Sequence, residues 1–139
     1  MTAPAYQQMI FVNLPVSDLA ASKAFFTGLG YSLNPQFSDE NAASVVISDT
    51  IVAMLLTKPF YATFTKKEIA DATTTSEVLV ALSSESREKV DELVDRALAL
   101  GATPSGETQD MGFMYGRSFD DLDGHTWEIV WMDPAAVEG

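Results

Sequence analysis

The chain carries one pattern twice, and this duplication restricts its possible folds more than any other feature. Met9 to Val16 alternates: Ile10, Val12, Leu14 and Val16 share one side, and Met9, Phe11, Asn13 and Pro15 the other. A period of two marks a strand, and Pro15 near its close suits an edge or an end. Ser17-Asp18 offers an N-cap. Leu19, Ser22, Phe25, Phe26 and Leu29 follow at helical spacing, with Gly30 where a C-cap glycine belongs. Three extended runs come next, Tyr31–Phe37, Ala43–Ile47 and Ile51–Leu56, the last two joined through Ser48-Asp49-Thr50.

The second half repeats the order. Glu77 to Leu82 alternates, Ser84 to Ser86 offers caps, and Val90, Leu93, Val94, Ala97 and Leu100 form a helical stripe closed by Gly101. Extended runs follow at Thr103–Thr108, Phe113–Phe119 and Trp127–Trp131, with the Asp121-Leu122-Asp123-Gly124 turn between the last two. Val12, Leu14 and Val16 overlay Val78, Val80 and Leu82 at an offset of 66, and the Asp49 turn overlays the Asp123 turn at 74. Each half reads strand–helix–strand–strand–strand. One helix covers only one face of a four-stranded sheet, so the other face needs a partner. The expectation is an α+β fold of two tandem βαβββ modules, residues 1–57 and 77–133, whose curved mixed sheets enclose a cleft. Together they form one domain over 1–139, linked by 58–76. In the linker, Phe60, Tyr61 and Phe64 point to a wrap that completes the core or to a lid over the cleft, and Thr65-Lys66-Lys67-Glu68 has capping-box spacing for a short helix.

Composition removes several classes of function. The 139 residues contain no cysteine and one histidine, His125, which excludes disulfides, thiolate sites and any site needing two histidines from one chain. The net charge is −12, of which residues 71–139 carry −11, so neither nucleic acid nor an anionic membrane surface is an expected partner. The longest apolar run, Ile51 to Leu56, is far short of a membrane span, and the N-terminus lacks the features of a targeting segment, so a cytoplasmic location is expected.

Val12-x-Leu14-x-Val16-Ser17-Asp18-Leu19-x-x-Ser22-x-x-Phe25-Phe26, followed by Leu29-Gly30, resembles the opening of glyoxalase/bleomycin-resistance/dioxygenase proteins, the vicinal oxygen chelate superfamily. Asp121-Leu122-Asp123-Gly124-His125-x-Trp127-Glu128 resembles their close. Within the superfamily the chain is most similar to bacterial proteins described as predicted lactoylglutathione lyases. The resemblance implies a small-molecule ligand, a homodimer, and four metal ligands on the first and last strands of each half. The corresponding positions here are Phe11, Met54, Glu77 and Glu128. Two carboxylates alone would hold at most a weakly bound divalent ion, so no cofactor is assigned firmly and classical glyoxalase I activity is not expected.

The candidate catalytic residues are Glu77 and Glu128, a potential acid–base pair if both face one apolar hollow; for each the alternative is a solvent-facing strand residue. The expected ligand-binding residues are Phe11, Asn13, Met54, Leu79, Tyr115 and Arg117. The pattern Phe113, Tyr115, Arg117, Phe119 leaves two orientations open: toward the cleft, where Arg117 would clamp a carboxylate, or toward the helix. Trp127 and Trp131, on the strand side opposite Glu128, are expected as helix-packing core, and His125 as a turn residue. Two functions follow: a glyoxalase-like lyase or isomerase using the two glutamates, or a metal-free binding protein that sequesters its ligand.

Overall fold

Both halves build the expected topology, and the pairing register shows how. The computed structural model describes residues 6–137, which divide into two compact units between Ile69 and Ala70. The first unit contains β1 (Ile10–Val16), α1 (Leu19–Gly28), β2 (Ser32–Leu33), β3 (Ala42–Val46) and β4 (Ile51–Thr57), with sheet order β1-β4-β3-β2. It also contains α2 (Lys58–Tyr61), which packs on β1 and β4. The second unit contains β5 (Val80–Ser83), α3 (Arg87–Ala99), β6 (Thr103–Pro104), β7 (Gln109–Asp110), β8 (Met114–Asp120) and β9 (Thr126–Met132). Its order is β5-β9-β8-β6, with β7 also on β8, and α4 (Pro134–Val137) follows the sheet. In each unit the first strand pairs parallel to the last, and the other pairings are antiparallel. Among the described residues no helix is long and apolar enough to cross a membrane.

The helices start and stop as their sequences dictate. The Asp18 carboxylate accepts the Ala21 N–H at 3.0 Å, and the Ser86 hydroxyl oxygen accepts the Lys89 N–H at 3.1 Å. Both helices end in the same motif. Gly30 and Gly101 have φ of 108° and 110°, and the next residues, Tyr31 and Ala102, donate back to the Phe26 and Ala97 carbonyls. In the first unit α1 lies on β3 and β4 and buries Leu19, Ser22, Phe25 and Phe26. Ala43, Val45, Ala53 and Leu55 have no exposed surface and share one sheet face by register, which identifies the face that α1 covers. In the second unit α3 lies on β8 and β9 and buries Val90, Val94 and Ala97 against the face of Phe119, Trp127 and Ile129.

Some expected elements differ. The run Tyr31–Phe37 narrows to β2 and a 3-10 turn at Pro35–Phe37, because the Asn34 side chain caps Gln36 and Pro35 sits at the turn's start. Of the run Thr103–Thr108 only Thr103-Pro104 is strand, as β6; the chain leaves the sheet at Ser105-Gly106, where the Ser118 hydroxyl donates to the Ser105 carbonyl, and pairs again as β7, beyond the expected run. No helix starts at Thr65. The helical turns come earlier, as α2 and the 3-10 turn Ala62–Phe64, and the Thr65 hydroxyl only accepts the Lys67 N–H. Phe60 and Phe64 stack edge to face with centroids 5.1 Å apart.

Candidate functional site

The last strand of the second unit organises the candidate site. Trp127 and Ile129, each 1% exposed, lie beneath α3, so alternation turns Glu128 to the opposite sheet face. The strand is anchored at its entry. Asp121, 7% exposed, accepts from the Asp123 and His125 N–H groups at 3.0 Å and from Trp127 Nε1 at 2.9 Å. Three donors converge on one carboxylate, which an amide could not satisfy equally. Burial raises the Asp121 pKa, against the opposing effects of His125 and these hydrogen bonds. Gly124 (φ 88°) completes the turn, and a Cβ there would lie 2.8–2.9 Å from the Ala72–Thr73 backbone.

Glu128 is partly buried in the middle of β9, with Ala81 and Ser118 as its cross-strand neighbours. Both cross-strand neighbours on this face are small side chains. Toward one end of this face lie Thr126 and Asp120, joined by a 2.6 Å hydrogen bond from the threonine hydroxyl. Toward the other lie Gly116 and Val130, then Met114 and Met132. Among the described residues the Glu128 side chain makes no hydrogen bond or ion pair.

Glu77 is differently placed. It is exposed, in a bend ahead of β5, and not in a strand among buried neighbours; Val78 and Leu79 beside it are 57% and 59% exposed. The register also changes its correspondence. Val12 opposes Ala53 and Val80 opposes Trp127; with Met54 matched to Glu128, the first strands overlay at an offset of 68, not 66. The second-unit position equivalent to Phe11 is therefore Leu79, and the four family positions read Phe11, Met54, Leu79 and Glu128. This donor set of one carboxylate and one thioether, with two hydrocarbon side chains, does not fit a divalent metal. Among the described residues no three His, Asp or Glu side chains group as a metal would require.

In the first unit, Phe11, Asn13 and Met54 share the sheet face opposite the fully buried one, with Asn13 directly beside Met54. Phe11 and Asn13 are exposed and Met54 is partly buried. Tyr115 and Arg117 take the helix side of their sheet, not the Glu128 side that ligand binding was expected to use. The Tyr115 hydroxyl donates to Asp91 at 2.6 Å, and Arg117 donates to Asp91 and Asp95 at 3.0 and 2.9 Å. The Tyr115 hydrogen bond, with Arg117, lowers the Asp91 pKa. Arg87 forms two 2.9 Å hydrogen bonds to Asp110, and its guanidinium lies 5.0 and 5.2 Å from the Tyr115 and Trp131 ring centres. The Arg87 hydrogen bonds hold the Asp110 pKa down at about 2. Sequence reasoning passed over this lattice, although Arg87, Asp91 and Asp95 lie four apart along one helical stripe.

Residues 8–48 match the family model described as bleomycin resistance protein-like N-terminal. No curated protein matches the sequence significantly. Among solved structures, a hypothetical protein from S. aureus is similar at 28% identity and a TM-score of 0.75, over 92% of this chain and 95% of that one. A glyoxalase/bleomycin resistance protein/dioxygenase family enzyme from Burkholderia phytofirmans PsJN superposes with a TM-score of 0.74 at 18% identity, covering 91% and 99%. A fosfomycin resistance protein from Listeria monocytogenes superposes with a TM-score of 0.66 at 19% identity, covering 91% and 93%.

Proposed function

As a member of the glyoxalase/bleomycin resistance/dioxygenase (vicinal oxygen chelate) superfamily, this chain, we propose, is a small-molecule-binding protein that works without the family's metal. The observation that carries the reading is the donor set at the four corresponding positions, where Glu128 is the only carboxylate. An organic ligand held on the Glu128 face would meet the Glu128 carboxylate, the Ser118 hydroxyl, the hydrogen-bonded Thr126–Asp120 pair, and the apolar end at Val130 and Met132. Polar groups at one end and apolar side chains at the other would orient a small molecule along the strand. A homodimer, which the family resemblance implies, is part of the proposal, and light scattering reads it directly.

The second reading is a lyase or isomerase in which Glu128 alone is the base. Its partial burial without a partner favours that reading, since a base must be free to take a proton. Glu77, exposed outside the sheet, has no part in either reading. The test is elemental analysis of the purified protein, with thermal shifts against nickel, zinc, manganese and magnesium and an assay with the glutathione–methylglyoxal adduct. The expected result is no bound metal, no shift with any ion and no turnover. A stabilisation of several degrees that disappears in Glu128→Gln would overturn the metal-free reading; turnover of the adduct would establish the enzyme.

A further inference from the structure

The second unit spends its positive charge on one side of its sheet. It has four lysines and arginines, and each is engaged: Arg87 with Asp110, Lys89 and Arg96 with Glu92, and Arg117 with Asp91 and Asp95. All four lie on α3 or on the sheet face beneath it. The other face carries Glu128 and Asp120 and no lysine or arginine of this unit. Asp120 accepts a hydrogen bond from Thr126; Glu128 has no partner among the described residues. Charges at partly buried positions are screened less than fully exposed ones, so an opposite charge brought to Glu128 is worth more than at an exposed site. The net charge of −12 also draws cations toward the molecule.

We infer that the Glu128 face takes an organic cation, an ammonium or amidinium, with an apolar body extending along β9. This rests on the binding reading above and supplies its ligand class. The geometry sets the dimensions. Val130 and Met132 follow Glu128 on the same face, and alternate residues rise roughly 7 Å, which places them about 7 and 13 Å from the carboxylate-bearing position. Met114, opposite Met132, widens the apolar end with a second flexible thioether. The ligand's charge docks at Glu128, between the small side chains of Ala81 and Ser118, and its hydrocarbon part lies over Val130 and the methionines.

The test compares three probes of one shape, 4-phenylbutylamine, 4-phenylbutanol and 4-phenylbutyrate, by calorimetry on the full chain. The amine should bind at least roughly tenfold more tightly than the alcohol, about 1.4 kcal/mol, and the carboxylate weakest. In Glu128→Gln that preference should fall to roughly twofold or less, while Glu77→Gln should leave it unchanged. Met132→Ala should weaken amine and alcohol alike. Equal binding of amine and alcohol would overturn the inference and leave the binding reading standing. So would a preference that survives Glu128→Gln, because it would then belong to the general acidity of the protein. Failure of all three probes would overturn the binding reading as well.

Discussion

The two units share a topology, a capping scheme and a strand register, yet their helices are held by different forces. In the first unit, α1 has one charged residue, Lys23, and buries Phe25 and Phe26, each 2% exposed, whose rings meet edge to face at 5.0 Å. In the second, α3 buries only Val90, Val94 and Ala97 and joins its sheet through Arg87, Asp91 and Asp95 to Asp110, Tyr115 and Arg117. The apolar solution is non-directional and insensitive to salt, whereas the ionic lattice is directional, screened and dependent on pH. One backbone plan therefore constrains the glue very little. It does constrain what remains: a sheet that commits its cations to the helix side leaves an uncompensated carboxylate on the other.

Truncating each interface separates the two forces and carries the largest expected effect. Phe26→Ala should cost about 3–5 kcal/mol, with little dependence on salt, as loss of a buried aromatic does. Arg117→Met should cost only about 1 kcal/mol, because Asp91 and Asp95 are 46% and 67% exposed at the side chain and regain water. Its cost should shrink further in 0.5 M salt. Chemical denaturation at two salt concentrations reads both variants. A salt-sensitive Phe26→Ala, or an Arg117→Met as costly as Phe26→Ala, would break the contrast.

The turns sharpen the same comparison at intermediate size. Gly124 requires a positive φ and also sits against the Ala72–Thr73 backbone, which cannot move aside like a flexible side chain. Gly124→Ala should cost about 2–4 kcal/mol from strain and overlap together. Gly112→Ala, with φ 82° but nothing within 4 Å of the new Cβ, should cost only about 1 kcal/mol. Thermal unfolding of the two variants side by side gives the difference, and equal costs would show that the close approach contributes nothing.

The sequence made the repeated topology legible because strand alternation, the Asp18 and Ser86 caps and the two closing glycines are local signals. It left the register of the first strands ambiguous. Val78, Val80 and Leu82 alternate as well at an offset of 66 as at 68, since any even shift keeps the same side chains on the same face. That shift of two residues separates a glutamate from a leucine at the position equivalent to Phe11. Glu128 was legible because the neighbouring Asp-Gly turn fixes its strand. The orientation of Tyr115 and Arg117 was not, because an aromatic stripe with one cation suits either face until the acids on α3 are placed in space.

The smallest effect concerns acid, and it tests whether the ionic lattice belongs to the second unit alone. Asp110 titrates at about 2 in the folded chain, held there by the Arg87 hydrogen bonds, against an ordinary carboxylate value near 4. Asp91 is shifted in the same direction by Tyr115 and Arg117. A depressed folded value stabilises the fold above the unfolded pKa, and that contribution is lost as pH falls from about 4 toward 2. Asp121 runs the other way: burial raises its value, so protonation there relieves a cost as pH falls and partly offsets the loss. Both tryptophans, Trp127 and Trp131, lie in the second unit, and Arg87 stacks on Trp131. Tryptophan fluorescence therefore reports the lattice without interference from the first unit, while far-ultraviolet circular dichroism reports both. The fluorescence change should precede the dichroic change on acidification from pH 5 to pH 2, and Asp110→Asn should flatten it. Coincident transitions, or an Asp110→Asn variant that titrates like the parent, would mean that the Arg87–Asp110 pair does not distinguish the two units.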